Sequence, residues 1–139
     1  MEILKNFAVF EGIDGSGTTT QLEILENHFQ ENRNKLPPFY RTNEPTDSSI
    51  GKLIRLNLKK EVLFDPGTTA FLFAADRNEH IYGPDGIAER CKRGELVVSD
   101  RYTLSSLVYQ GITCGEVLTS MINSSFPLPE LLLFFDVAP

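Results

Sequence analysis

Positive charge is scarce in this 139-residue sequence: thirteen lysines and arginines stand against nineteen aspartates and glutamates, a formal charge of −6. That balance argues against the broad phosphate-backbone surface of a nucleic-acid binder, yet a few placed cations can still hold a small anion. Cysteine is nearly absent. Cys91 and Cys114 are too few for a disulfide scaffold and have neither C-x-x-C nor metal-ligand spacing, so they read as buried reduced thiols, which favours a cytoplasmic setting. No apolar run approaches membrane-spanning length, which leaves no membrane role to assign. The opening MEILKNFAVFEG has one lysine and a short apolar stretch running straight into a glycine loop, and shows no export signal. Internal repeats and low-complexity tracts are also missing. What remains is ordinary for a globular protein, 41% hydrophobic and 23% charged residues in a length that suits one domain with a real core.

Short apolar runs alternate with longer helical patterns, the rhythm of βαβ units and a parallel sheet. Phe7 to Phe10 (FAVF) lacks polar alternation, as a strand buried on both faces does. Leu22, Leu25 and Phe29 then recur at helical spacing, with Glu23, Glu26 and Gln30 on the other side. Pro37 and Pro38 break the chain before a weak strand, PFYRT. Ile50, Leu53, Ile54 and Leu58 predict a second helix, and Phe71 to Ile81 a third. ELVVSD reads as a strand, Thr103 to Gln110 and Glu116 to Asn123 as helices, and LLLFFDV as a closing buried strand.

In an open parallel sheet, ligands bind outside the carboxyl ends of the strands. Those ends are where polar residues gather here: Asp14 and the glycines, Asn43 and Glu44, Asp100 and Arg101, and Asp136. The first of these, EGIDGSGTTTQ, follows a buried strand and opens a helix, the context a phosphate-binding loop requires. Gly12, Gly15 and Gly17 let backbone amides wrap a phosphate, and Thr19 takes the Ser/Thr position whose hydroxyl ligates Mg²⁺. The template G-x-x-x-x-G-K-[ST] is broken at one point, because Thr18 stands where the lysine belongs. The loop alone leaves open a plain strand-to-helix turn with threonines starting the helix.

Taken in order and spacing, FEGIDGSGTTTQ, TNEPTDSSIGKLIR, FLFAADRNEH, VVSDRYTLSSLVYQG and LPELLLFFDV resemble the successive motifs of the thymidylate kinases, over essentially the whole chain. The resemblance implies an α/β P-loop fold of the nucleoside-monophosphate-kinase kind, a parallel sheet with helices on both faces. It also implies transfer of the γ-phosphoryl group of ATP to dTMP with Mg²⁺, and a homodimer commonly formed through helices flanking the base site. Gly12, Gly15, Ser16, Gly17, Thr18, Thr19 and Thr20 would hold the ATP phosphates, with Thr19 and Asp100 on the metal side, directly or through water. Asp14, Asp100 and Arg101 would be catalytic. Asp14 would lie beside the deoxyribose 3′-hydroxyl, Phe73 would stack on thymine and Arg77 would read the base edge. Arg101 would meet the dTMP phosphate, and Glu44, in the second-strand motif, would also belong to the dTMP site. Ser105, Tyr109 and Gln110 would flank sugar and base, with Tyr109 set against a ribose 2′-hydroxyl.

Without the motif, duller readings stand beside these: a turn aspartate at Asp14, core rings at Phe73 and Tyr109, an Arg77 paired with Asp76 or Glu79, a structural pair at Asp100 and Arg101. His28 and His80 fall on helix surfaces outside any motif, and Lys52 and Arg55 lie either near the phosphates or on a solvated helix face.

Two cations of the family pattern are missing: Thr18 replaces the loop lysine, and Asn43 stands where an arginine is common in the motif read here as Asn43, Glu44, Pro45, Thr46. Phosphoryl transfer depends on neutralising charge, so these losses matter. Family members with no basic residue in the loop carry basic residues in a lid over ATP, and thymidylate kinases continue past the D-V-x-P stretch into that lid. This sequence stops at Pro139, so residues 1–139 are expected to be a single, incomplete kinase domain. Two alternatives are a noncatalytic nucleotide-binding module of the same fold and a kinase for another small deoxynucleotide or deoxynucleoside.

Overall fold

A computed structural model describes residues 2–138. Four parallel strands, β1 (Ile3–Gly12), β2 (Phe39–Asn43), β3 (Leu96–Asp100) and β4 (Leu128–Phe135), form one sheet in the order β2-β3-β1-β4. Helices α1 (Thr18–Glu31), α2 (Ser49–Leu58), α3 (Pro66–Tyr82), α4 (Ile87–Lys92), α5 (Thr103–Cys114) and α6 (Glu116–Asn123) occupy the connections.

Successive residues of β1 feed two different cores, which is why FAVF shows no polar alternation. Phe7 and Val9 join Val97, Ile81, Ile87, Cys91, Tyr102 and Phe126 on the face covered by α3 and α4. Ala8 and Phe10 join Val98 and Leu22 on the face covered by α1. The sheet is therefore sandwiched, as the α/β reading expects. Phe10, Asp100 and Asn43 lie side by side in register, so the loops after β1, β3 and β2 emerge together. Two backbone bonds extend that edge: Glu44 N–H to Asp100 O at 3.1 Å and Arg101 N–H to Phe10 O at 2.8 Å.

The structure departs from the sequence reading in several places. β4 is an edge strand, not a buried one. Leu131, Leu132, Leu133 and Phe134 are all exposed, because β4 lies at the sheet edge, outside the two cores that the helices cover. α3 begins five residues earlier than the pattern suggested, capped by the Asp65 carboxylate with Pro66 at its first position. α4 is an additional helix. Cys91 is buried, and burial pushes its thiol up to about 11, but Cys114 is only half-buried.

Gly51, near the start of α2, packs against the loop that leaves β2. A Cβ there would lie 1.8 Å from the Thr46 carbonyl oxygen, so backbone must move to admit any side chain. Gly51→Ala is expected to destabilise the fold by about 1–3 kcal/mol or more despite alanine's better helix propensity. Urea denaturation measures this; an unchanged or raised midpoint would show that the loop yields freely.

Candidate active site

The glycine loop is built to present amides. Gly15 and Gly17 have φ of 79° and 94°, left-handed values that favour glycine, and Gly17 caps α1 without any side chain bonding to the helix start. Gln21 donates to Gly17 O at 3.0 Å, so the amides of Thr18, Thr19 and Thr20 lie ahead of that first ladder bond. An uncapped helix N-terminus attracts anions. Ser16 is buried and its hydroxyl has no protein partner. Opposite the loop, Asp100 at the end of β3 accepts from the Thr19 hydroxyl at 3.2 Å and, at the limit of hydrogen bonding, from Thr18 at 3.4 Å. The side chain in the lysine position is thus turned toward a carboxylate.

Beside this loop lies a cavity of about 530 Å³. Its deep end is polar. Arg77 on α3 is 1% exposed and donates through Nε to Glu44 Oε1 at 2.9 Å, through Nη1 to Asn123 Oδ1, and through Nη2 to Ser106 Oγ at 3.0 Å. Its guanidinium also lies over the rings of Tyr102 and Phe126, 5.2 and 5.7 Å from their centroids. The rim is apolar, with Leu58, Phe64, Pro66 and Phe73 along one wall and the half-exposed Tyr109 on another. Between them, Gln110 is 7% exposed and its Oε1 has no protein partner. Such an orphaned acceptor is costly unless a ligand donor reaches it.

Loop and cavity meet at Asp14 and Arg101. Arg101 Nη2 donates to Asp14 Oδ1 and Nη1 to Ser105 Oγ at 3.2 Å, and its guanidinium sits 5.8 Å from the Tyr109 ring centre. Arg101 holds a left-handed φ of 75°, unusual for a side-chain-bearing residue and enriched at functional sites. Behind it, Glu11 is 2% exposed and accepts from the Tyr102 amide and the Ser105 hydroxyl. Burial pushes the Glu11 carboxyl above its ordinary range, against the pull of those two hydrogen bonds and of the Arg101 and Arg77 charges.

The family description "Thymidylate kinase" matches residues 10–139. The chain belongs to the thymidylate kinase family. It is 48% identical over 136 residues to a Treponema pallidum (strain Nichols) protein provisionally named a thymidylate kinase, covering 98% of this chain and 64% of the relative. It is 40% identical over 139 residues to the Caldicellulosiruptor saccharolyticus protein named Thymidylate kinase, covering 96% and 65% respectively. A crystal structure of thymidylate kinase from Ehrlichia chaffeensis superposes with a TM-score of 0.78 at 29% identity, covering 94% of this chain and 72% of that one. The chain thus spans a little under two thirds of the length of the curated relatives it matches.

All the residues that the thymidylate kinase resemblance put at the acceptor, Asp14, Glu44, Phe73, Arg77, Arg101, Ser105, Tyr109 and Gln110, line the one cavity. Phe73 and Tyr109 are cavity walls and not core rings. Arg77 is no surface residue, and Asp76 does not pair with it. The Asp76 carboxylate accepts instead from the Thr46 amide at 2.8 Å and from the Thr46 and Ser48 hydroxyls. Asp136 follows β4 exposed. Arg55 donates to Pro45 O and lies 3.5 Å from Asp47, while Lys52 is exposed. His80 corrects the sequence reading most clearly, for its side chain is 9% exposed and bonded at both ring nitrogens.

Sequence reasoning missed Glu11, Ser106 and Asn123. Helical spacing held a signal for the last, because Thr119 and Asn123, four apart, are polar residues on the buried face of α6.

Glu11 links the site to pH. A carboxyl whose folded pKa is raised contributes stability below its unfolded value, near 4.5, and loses it as pH rises through the folded value. Glu11→Gln removes that loss, so the unfolding free energy of the variant relative to the native chain is expected to rise as pH increases above about 4.5. Urea denaturation from pH 4.5 to 8 measures the difference; parallel profiles would show that the Glu11 charge is not penalised in the fold.

Proposed function

We propose that the protein transfers the γ-phosphoryl group of ATP to dTMP, giving ADP and dTDP, in a cytoplasmic setting. The observation that carries this reading is the convergence of the acceptor residues on one cavity that abuts the glycine loop through Asp14 and Arg101. The walls suit a flat base, with Phe73 as a stacking surface. The unpartnered Gln110 oxygen suits the N3–H of thymine, and Arg77, whose side chain lines the cavity, would read a base carbonyl. Arg101 would hold the acceptor phosphate, and Tyr109, over that guanidinium, would crowd a ribose 2′-hydroxyl. Asp14 would orient the sugar and, with Asp100, bound the side on which transfer occurs. The amides of the glycine loop would cradle the ATP phosphates.

The donor set beside the loop, hydroxyl and carboxylate oxygens of Thr19 and Asp100, fits Mg²⁺. Among the described residues no group of three or more His, Cys, Asp and Glu could hold a metal alone, so these oxygens would share the ion with phosphates and water. When bound, Mg²⁺ neutralises charge on the phosphates. We also propose a homodimer, supported by the exposed Leu107, Val108 and Ile112 on α5 and Val117 and Met121 on α6. Light scattering giving a concentration-independent monomer mass would remove it.

A second reading, a nucleotide binder that does not catalyse transfer, is favoured by Thr18, a neutral residue turned toward Asp100. Steady-state dTDP formation from MgATP and dTMP, with a panel of other nucleoside monophosphates and deoxynucleosides and with calorimetric dTMP binding, separates the readings. The native chain is expected to bind dTMP and turn over slowly, with Thr18→Lys raising kcat by about 10²–10³. Binding without turnover in either form identifies a binder. Preference for another substrate, or no nucleotide binding, overturns the dTMP assignment. Gln110→Leu is expected to weaken dTMP binding about tenfold.

A further inference from the structure

His80 ends the FLFAADRNEH stretch that carries Phe73 and Arg77 but does not itself line the cavity, yet the site reaches it in two steps. Thr42 lies in β2 and Glu44 just past its end, where the Glu44 amide still bonds to Asp100 O, so the two side chains, two residues apart, lie on the same face. His80 on α3 meets both: its Nδ1 lies 3.1 Å from Glu44 Oε2 and its Nε2 lies 2.6 Å from Thr42 Oγ1. The Glu44 carboxylate can only accept, so Nδ1 carries the proton. The other oxygen of Glu44 receives Arg77 Nε at 2.9 Å, one helical turn before His80. We propose that His80 is a positioning residue: by bonding Thr42 and Glu44 together it locks the Glu44 carboxylate in the one rotation that aims the Arg77 guanidinium into the cavity.

The physical case rests on what each bond alone would permit. A carboxylate bonded only at Oε1 turns about its terminal torsion, which is broad. Its partner then has a moving target. With Oε2 held by His80, and His80 held by the strand that carries Glu44, the carboxylate plane is fixed from both ends. Glu44 and His80 are 3% and 9% exposed at their side chains, so little solvent competes for the free oxygen. Burial makes the alternative expensive, because an Arg77 released from Glu44 would leave two unpaired charges out of water. His80 is not itself among the residues lining the cavity and acts on the ligand only through Glu44 and Arg77.

This inference deepens the dTMP reading and rests on it for its ligand. His80→Asn places an amide donor near the Nδ1 position, whereas His80→Gln extends it toward Nε2 and leaves Glu44 without its donor. Thr42→Val keeps the shape and removes the hydroxyl. Two readouts are used on the full chain. Calorimetry with dTMP is expected to show affinity reduced about tenfold in His80→Ala and His80→Gln, and only severalfold in His80→Asn and Thr42→Val, which keep the donor to Glu44 and lose the Thr42 bond. Without nucleotide, ¹⁵N NMR of the Arg77 Nε–H is expected to show faster exchange in the same order. Equal behaviour of Asn and Gln in both readouts, or unaltered exchange in every variant, overturns the proposal. Failure of the native chain to bind dTMP defeats the dTMP reading instead, and the exchange rates still decide the role of His80.

Discussion

A guanidinium removed from water has to be met on every side, and at Arg77 the partners come from widely separated parts of the chain. Glu44 arrives from the end of β2, Ser106 from α5, Asn123 from α6, and the aromatic faces of Tyr102 and Phe126 from the other side. None of these partners is dispensable to a buried charge. The ion pair with Glu44 fixes the distance between strand and helix, and the neutral partners fix where α5 and α6 stand against α3. Replacing the pair with apolar side chains of similar volume need not weaken such a fold, since desolvation offsets much of the attraction. Removing one partner alone is different, because it strands the other charge. The cavity is the space left over once those requirements are satisfied.

How much of this could be read from sequence depended on whether the informative neighbours were local. FAVF announced a strand covered on both faces because a residue buried on either side must be apolar, whatever covers it. LLLFF carried the same composition and misled, since an apolar run does not say what packs on its faces, and among the described residues β4 lies at the sheet edge outside both helix-covered cores. The cavity residues were legible because family motifs in register encode their convergence, even though no pair of them is close in sequence. Glu11 and His80 were not legible. A glutamate before a glycine loop and a histidine on a helix look solvent-facing until Tyr102, Ser105, Glu44 and Thr42 are brought around them by the fold. The early start of α3 was a different failure: Asp65 followed by Pro66 is a local start signal, and it was simply outweighed by the apolar pattern farther on.

The two positions where the family pattern loses a cation are occupied by residues that serve the loops themselves. Thr18 turns toward Asp100, and the Asn43 amide donates to Pro45 O at 2.8 Å, a carbonyl that Arg55 also reaches. What remains around the cavity and the glycine loop is acidic: the guanidiniums of Arg77 and Arg101 face Glu11, Asp14, Glu44 and Asp100. Each arginine is already matched by a carboxylate before any ligand arrives. A polyphosphate entering such a place needs positive charge of its own or from the backbone amides, which gives the uncapped start of α1 and an accompanying divalent cation more to do than where a lysine is present.

Arg101 shows how little chain is needed to divide the site. In a regular strand, neighbouring side chains point to opposite faces of the sheet and stay there. At the end of β3 the backbone turns left-handed at Arg101, pinned by its amide on Phe10 O and by its carbonyl accepting from the Ser99 hydroxyl. Consecutive residues are thereby sent to separate tasks, Asp100 to the threonines of the glycine loop and Arg101 to Asp14 and the cavity mouth. The frontier between the two halves of the site is a single peptide unit, so a motion that tilts that peptide changes both halves together.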